Sequence, residues 1–278
     1  MPDNDPPTGG KRTRLLLWSG GVLTAVVAGV ITAWATDAVS LLVGPADLVG
    51  LGRPALRATV IPVAGRAPDL AVAALPSTPH DRAVFLRGRF SDQAFLDVTA
   101  GLGGAWVKRA RVRVVFEATR DLRITDVRLK RIGVAQPNVT RAFVQFPSES
   151  AARNPQLTLD LNDKAPFFAR LPGSKSPFFG PNSLPVKRGD QTEVGFEIQA
   201  RSRSHAFALE VFYLSTGADR QESITVTDHG RPFRVTGGPA RWTAYGTVYR
   251  NTGAGLHVAA GREACEIFET GRACASGR

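Results

Sequence analysis

The residues of this chain that could carry chemistry are few and widely separated. Its four histidines, His80, His205, His229 and His257, are accompanied by no HExxH pattern and no clustered carboxylates, so the sequence supplies no zinc ligand set. It contains no G-x-S-x-G or S-x-x-K pattern that would supply a serine nucleophile. We therefore expect no catalytic, cofactor-binding or metal-binding residues, and we expect the histidines to lie in exposed turns.

Carboxylates support the alternative in which the protein is an enzyme. A region rich in proline and glycine runs from 145 to 187, and two carboxyl groups brought ~5–10 Å apart in a cleft there would suit an exported hydrolase or carbohydrate-active enzyme. The segment 160–163 also carries oxygens that would suit calcium, but it lacks the spacing of a calcium loop, and a polar turn explains it equally well. The candidate carboxylates are Glu149, Asp160, Asp163 and Asp190.

The two cysteines, Cys265 and Cys274, lie close together near the carboxyl end. In an exported protein, a disulfide across this short loop is favoured over two free thiols. Without paired histidines the cysteines make a poor zinc site, and no neighbouring base supports thiol catalysis.

The strongest structural element in the sequence is the uncharged stretch 15–36. As a helix it would be roughly 33 Å long, close to the ~30 Å hydrocarbon core of a bilayer. The cations before it, Lys11, Arg12 and Arg14, place residues 1–14 in the cytoplasm by the positive-inside rule. That basic tail is short and rich in proline and glycine, so we expect it to be disordered.

Two features of the predicted transmembrane helix leave alternatives open. Ala33-Trp34-Ala35 has the small-x-small form that signal peptidase reads, but the apolar run before it is longer than the ~7–15 residues of a typical signal peptide. We favour an uncleaved anchor, and the rest of the chain is exported in either case. One helix face would permit pairing into a homodimer, and it carries the small residues Gly21, Ala25, Gly29 and Ala33.

The net charge of +11 bears on the partner of the protein. In a cytosolic protein it would suggest nucleic acid, but the predicted export argues against nucleic acid here. Two explanations remain. The charge either belongs to a solvated, ion-paired surface, or it attracts teichoic acids or anionic headgroups outside the membrane.

After a juxtamembrane linker at 37–56, the hydrophobic pattern changes to period two, which is typical of half-buried strands. A change of phase between Ile124 and Val127 predicts a bulge near Thr125–Asp126. The alternation and intervening turns predict a mainly β region, an antiparallel sandwich over 57–260, followed by a tail at 261–278. The expected strands are 57–63, 82–90, 110–116, 156–161, 194–200, 207–213, 224–226 and 232–235.

The region 145–187 is expected to form long loops around one strand. Two aromatic pairs recur in it, Phe167-Phe168 and Phe178-Phe179. We expect these rings to fold the loops onto the sandwich rather than to form an aromatic binding patch.

One resemblance bears on the architecture. The run Leu184-Pro-Val-Lys-Arg-Gly189-Asp-Gln-Thr192 resembles the pattern that leads into a strand in bacterial immunoglobulin-like sandwiches. The longer segment 182–237, with Asp228-His-Gly-Arg-Pro-Phe-Arg-Val235, is similar to uncharacterised actinobacterial single-pass membrane proteins with a short basic tail. The resemblance implies an exported immunoglobulin-like β-sandwich and brings no known activity with it.

Together these features predict a non-enzymatic, single-pass protein of the cell envelope. Its amino terminus would be cytoplasmic and its β-sandwich extracellular, where it would bind an envelope protein or an anionic wall polymer without a cofactor. The alternatives are the exported hydrolase with a site in 145–187 and a purely structural partner of a membrane complex, which would associate through the small-residue helix face.

Overall fold

The computed structural model describes residues 54–61, 69–146, 157–163, 167–239, 241–268 and 274. The predicted transmembrane helix, its small-residue face, the cytoplasmic tail and the Ala33-Trp34-Ala35 sequence lie outside these residues. Within the described part, no helix has the length and apolar character needed to cross a membrane.

The described elements are mostly short strands, interrupted by helices near both ends. In chain order they are β1 (Leu56–Ile61), β2 (Leu70–Val72), α1 (Pro79–Arg87), α2 (Gln93–Gly101), β3 (Ala105–Val107), β4 (Arg109–Ala118), β5 (Leu122–Gln136), β6 (Ala142–Gln145), β7 (Leu157–Asp160), β8 (Phe167–Phe168), β9 (Leu184–Val186), β10 (Gln191–Gln199), β11 (Ser204–Ser215), β12 (Glu222–Val226), β13 (Phe233–Thr236), a 3₁₀ turn (Trp242–Ala244), β14 (Val248–Asn251), β15 (Leu256–Ala259) and α3 (Gly261–Phe268).

The strands form a small sheet and a large sheet. The small sheet has the order β1-β4-β10-β7, and the large sheet has the order β15-β14-β6-β2-β3-β13-β11-β5-β8, with β12 also on β11 and β9 also on β5. The mainly β character is confirmed. The purely antiparallel arrangement is wrong, because β7 runs parallel to β10, β3 to β13 and β6 to β14. Parallel pairs need crossover connections, and the local alternation of a sequence does not reveal these.

Three hydrophobic clusters hold the layers together. The small sheet packs against part of the large sheet through residues such as Phe116, Phe196 and Phe207. In a second cluster, α1 and α2 pack on strands β2, β6 and β14 of the large sheet through residues such as Phe85 and Phe95. A third cluster joins the other face of these strands to α3 and the 3₁₀ turn.

Residues 82–90, expected to form a strand, belong largely to α1, so that expectation is wrong. The Thr78 hydroxyl accepts a hydrogen bond from the Asp81 N–H at the amino end, and a proline occupies the first helical turn. Gly88 ends the helix in the left-handed conformation, with a φ of 60°. Short apolar runs do not distinguish helix from strand, and here the caps decide for helix.

The strand predictions elsewhere are largely confirmed, and so is the bulge. Asp126 of β5 lies opposite Phe212, whereas Ile124 lies opposite Tyr213, so Thr125 is the extra residue. A second irregularity in the same strand pair was not foreseen. Gln136 lies opposite Ser204 and Ile132 opposite Ala206, so residues 133–135 stand opposite His205 alone.

Part of the carboxyl-terminal tail expected at 261–278 is helical in the described residues. Residues 261–268 form α3, because Ala264, Ile267 and Phe268 pack in the third cluster. Cys265, in this helix, forms a disulfide with Cys274, with their Cα atoms 5.6 Å apart.

Lys108 lies at one of the points where the chain passes from the large sheet to the small one. It lies between β3 and β4 with a φ of 64°, in the left-handed region that side chains with a Cβ rarely adopt. Its N–H donates to the Thr236 carbonyl of the large sheet at 2.7 Å, and its carbonyl accepts from the Ala200 N–H at 3.0 Å. Hydrogen bonds on both sides therefore fix the place where the two sheets diverge.

Gly237 comes directly after Thr236, the partner of Lys108, and gives the first test of the packing. A Cβ there would lie 2.5 Å from the Arg201 carbonyl oxygen and 2.7 Å from the Ser202 nitrogen, both backbone atoms. We expect Gly237→Ala to lower the free energy of unfolding by about 1–3 kcal/mol, because the backbone must move. Denaturant unfolding of the solubilised full chain measures this.

Gly101, the last residue of α2, is the matched control. A Cβ at Gly101 would meet no described atom within 4 Å, so Gly101→Ala should leave stability unchanged or raise it slightly. Equal unfolding midpoints for the two variants would contradict the close approach at Gly237.

Candidate functional site: a polar groove on the large sheet

A groove of about 600 Å³ opens where the connection from β5 to β6 meets the segment before β14. Its polar lining comes from Gln136, Asn138, Arg141, Ser204 and Arg234. None of the described residues that line it is an aspartate or glutamate. We call this cavity the polar groove.

Thr236 fixes one wall of the polar groove. It is fully buried at the end of β13, and its hydroxyl accepts a hydrogen bond from the Val139 N–H at 3.1 Å. The same hydroxyl oxygen lies 3.3 Å from the Asn138 side-chain oxygen, to which it can donate. The connection 137–141 is thus held against the end of β13, and Asn138 is held at the groove.

Ala244 and Gly246 also line the groove, and aromatic packing holds their segment in place. The Tyr245 ring lies 5.1 Å from the Phe143 ring, which in turn lies 4.5 Å from Phe268 of α3. The Gly246 N–H donates to the Thr140 carbonyl at 3.0 Å. A Cβ at Gly246 would lie 2.9 Å from the Arg141 carbonyl oxygen, so glycine permits this close approach.

The floor depends on the unforeseen irregularity in β5. After residues 133–135, the pairing of β5 with β11 resumes at Gln136 and Ser204, and both residues line the groove. Ser204 is only 2 % exposed, so this part of the floor is almost fully buried.

The charge of the groove differs from that of the small sheet. Arg141 is exposed and Arg234 is half-buried, and neither takes part in an ion pair within the described residues. On the small sheet, Arg113 donates twice to Glu193, at 2.9 and 2.6 Å. Both arginines of the groove therefore keep their guanidinium donors available for an anion.

All three arginines on the basic face of β4 lie in ion pairs, in which they share two glutamates of β10. Besides the Arg113 pair, Arg111 bonds the buried Glu197 at 3.3 Å, and Arg109 lies 3.8 Å from the same carboxylate. The sheet register places Glu197 of β10 directly opposite Arg111, and it places Glu193 opposite Val115, two residues from Arg113. The ion-paired explanation of the net charge therefore applies to this face but not to the polar groove.

His205 lies next to the groove floor, in β11 rather than in the expected turn. It is buried, and burial, followed by the charges of Arg131 and Arg203, lowers the pKa of its imidazole. The expectation of an exposed turn histidine is wrong here, because β11 begins at Ser204. Arg131 and Arg203 thus add positive charge near this end of the strand.

The other histidines are exposed or half-buried. His229 lies in a turn as expected, whereas His80 lies in α1 and His257 in β15. His229 occupies a turn, where its Nδ1 lies 3.0 Å from the Asp228 carboxylate. The His257 Nε2 lies 2.8 Å from Glu263 at the start of α3. His80 is exposed in the first turn of α1.

Of the candidate carboxylates that the structure describes, two are paired with arginines. Asp160 pairs with Arg201 at 3.2 Å and Asp163 pairs with Arg170 at 2.7 Å. Asp190 lies in the turn before β10, and Glu149 lies outside the described residues. In the described part of the chain, no group of three or more His, Cys, Asp or Glu side chains could hold a metal ion.

The aromatic pairs of the 145–187 region behave as expected. Phe167 and Phe179 are buried in the cluster between the sheets, and Phe178 packs against it. The interpretation as plugs is confirmed for these three rings, whereas Phe168 is half-buried in β8 with the Arg128 guanidinium 5.5 Å from its ring centroid.

No protein-family model, curated protein or solved structure was found to match the chain. The functional argument therefore rests on the polar groove itself. Sequence reasoning missed its residues because five separate segments supply them. Arg141 belongs to no motif, and the run 228–235, which contains Arg234, was noted for its resemblance and not for any chemistry. Their distinguishing property, arginine without a carboxylate partner, exists only in the folded chain.

Asp69, just before β2, is a further polar group that the sequence did not reveal. Burial raises the pKa of its carboxyl to about 6, against the opposing effects of the Phe146 N–H and of Lys108. Burial, and then the charge of Asp69, raises the pKa of Tyr245, whose hydroxyl is buried without a described hydrogen-bond partner. The folded chain thus favours the protonated form of Asp69.

This pKa predicts how stability depends on pH. Between the ordinary value of 3.8 and about 6, the folded state holds the Asp69 proton that the unfolded state has lost. Stability should therefore fall as pH rises through this window, by up to about 3 kcal/mol. Asp69→Asn should flatten this part of the profile in urea unfolding between pH 4 and 7. Parallel profiles for the two proteins would contradict the raised pKa.

Thr236 gives a test of how the groove is held. Thr236→Val leaves the Val139 N–H without its acceptor in a buried place, so we expect a loss of about 1–3 kcal/mol in stability. Thr236→Ser keeps the hydroxyl and should lose less. Chemical unfolding compares them, and a serine variant as unstable as the valine variant would show that the hydroxyl does not hold the groove.

Proposed function

We propose that this chain is a non-catalytic, single-pass protein of the cell envelope whose exported β domain binds a phosphate-bearing wall polymer in the polar groove. The observation that carries the proposal is the presence of Arg141 and Arg234, both free of ion pairs within the described residues, in a groove without described carboxylates.

The donors of the groove suit a phosphate group. Guanidinium groups bind phosphate oxygens through paired, charge-assisted hydrogen bonds. The side-chain amides of Gln136 and Asn138 add neutral donors beside the arginines. The volume of about 600 Å³ lies within the ~300–1,000 Å³ of ordinary ligand sites, so it has room for a phosphate together with part of the polymer that carries it.

The location supports a wall polymer rather than nucleic acid as the source of the phosphate. The uncharged stretch 15–36, with cations only before it, favours an exported position for the β domain. The similarity of residues 182–237 to single-pass envelope proteins supports the same location. The hydrolase alternative has less support, because Asp160 and Asp163 are each paired with an arginine.

Direct binding tests the proposal. We expect the full chain, in a non-ionic detergent, to bind a synthetic glycerol phosphate oligomer in isothermal titration calorimetry. Arg141→Ala and Arg234→Ala should each weaken binding at least about tenfold, because each removes charge-assisted hydrogen bonds. Arg57→Ala is the matched control, since Arg57 is exposed on β1, away from the groove.

Two further ligands distinguish the sources of negative charge. A polyglutamate of equal charge should bind less tightly than the phosphate oligomer if the groove selects phosphate. Vesicles with phosphatidylglycerol, compared with phosphatidylcholine alone, test for a lipid headgroup instead. Equal binding by wild type and both groove variants, absent binding, or dependence on Arg57 would overturn the proposal.

A further inference from the structure

A small apolar tip projects from the irregular end of β5. Four large hydrophobic side chains are exposed in the described part of the chain, and two of them, Ile132 and Val134, lie here with 44 % and 78 % of their surface accessible. Between them Gly133 adopts a φ of 73°, and an added Cβ there would meet no described atom within 4 Å. We call residues 132–135 the apolar bulge.

The apolar bulge lies where β5 has no described strand on its outer side. β9 pairs with β5 at 122–124, and β8 pairs with it only at Arg128 and Leu129. Beyond Leu129, the described pairing of β5 is with β11 alone, and residues 133–135 stand opposite the single residue His205. The extra residues therefore project from the edge of the large sheet into open space.

Cations flank the apolar bulge on both strands. Lys130 and Arg131 precede it on β5, and Arg203 lies just before β11, all three of them exposed. None of the three takes part in an ion pair within the described residues. The segments 130–138 and 201–205 contain no aspartate or glutamate, so nothing in them offsets this positive charge.

The geometry points to the apolar bulge and its flanking cations as a surface that docks the β domain on an anionic lipid bilayer. Aliphatic side chains at such a tip can enter the boundary between the headgroups and the acyl chains, and cations beside them bind the lipid phosphates. Apolar insertion and basic residues are each weak alone, and together they attach a protein to a membrane surface.

The composition of this surface favours a bilayer over a protein. Energetically important residues of protein interfaces are enriched in tryptophan, tyrosine and arginine, and valine is under-represented among them. The tip of the apolar bulge carries only Ile132 and Val134 as large side chains. A second copy of the chain would bring like charges together, and a bulge flanked by cations opposes the pairing of two strand edges.

The docking rests on the membrane anchor of the proposed function, but not on polymer binding. An anchor at 15–36 would hold the β domain at a high effective concentration near the lipid, so a weak contact suffices. Gln136 and Ser204, which pair just beyond the bulge, line the polar groove, so docking would hold the groove close to the membrane surface.

The test attaches the environment-sensitive fluorophore NBD to the bulge of the full chain. Val134→Cys is the labelling site, because the two native cysteines are joined in a disulfide. The labelled chain is reconstituted in nanodiscs of phosphatidylcholine, with or without phosphatidylglycerol. Docking should raise and blue-shift the emission in the discs that contain phosphatidylglycerol. Val258→Cys, 59 % exposed on β15 at the far end of the large sheet, is the control and should emit equally in both discs.

Charge variants made in the chain labelled at residue 134 test the role of the cations. Lys130→Gln and Arg203→Gln should each lower the ratio of docked to undocked chain about fivefold, the contribution of one cation near an anionic surface. Arg220→Gln is the matched control, since Arg220 is exposed beyond the opposite end of β11. Arg141→Ala should keep the full response, which separates docking from binding in the polar groove. Unfolding midpoints show that the variants remain folded.

The outcomes distinguish failure of the docking from failure of the anchor. Equal emission from the bulge in both discs, by a chain that co-elutes with them, would overturn the docking and favour a protein partner. A chain that co-elutes with neither disc would overturn the docking and the anchor together. A response that survives both glutamine variants, or falls equally in Arg220→Gln, would also overturn the inference.

Discussion

The backbone of Lys108 is the constraint on which the rest of the described fold depends. It sends one strand from the large sheet into the small sheet, and it is hydrogen-bonded to Thr236 on one side and Ala200 on the other. A left-handed conformation at a lysine costs about 1–2 kcal/mol, so the surrounding bonds must hold it. The direct step from β3 in the large sheet to β4 in the small sheet follows from this change of direction.

Thr236 joins the crossover to the candidate site. Its backbone carbonyl receives the Lys108 N–H, while its hydroxyl receives the Val139 N–H from the groove wall. The groove is thus attached to the crossover at Lys108, which hydrogen bonds hold on both sides. The residues of the groove themselves come from connections and strand ends. Such a wall can hold Asn138 and Arg141 in position before an anion binds, which reduces the ordering cost of binding.

The parts of the fold that a short stretch of sequence determines by itself were predicted from the sequence. The strands β10 and β11 and the bulge at Thr125 were visible in the sequence. Apolar and polar residues alternate along a strand, and a bulge shifts this alternation by one residue. The helix at 79–87 was missed because its apolar run is short. Two features depend on how strands that are distant in sequence align with each other. They are the parallel strand pairs and the question of which arginines have a carboxylate partner. Arg113 and Arg141 look alike in sequence, and only the position of Glu193 distinguishes them.

Hydrogen exchange on the full chain, with and without a glycerol phosphate oligomer, tests binding in the polar groove most directly. If the groove holds the phosphate, amide exchange should slow in peptides that cover 136–141 and 242–246, and it should be unchanged on the outer face of the small sheet. Protection confined to β4 and β10, or no protection at saturating oligomer, would contradict binding in the groove.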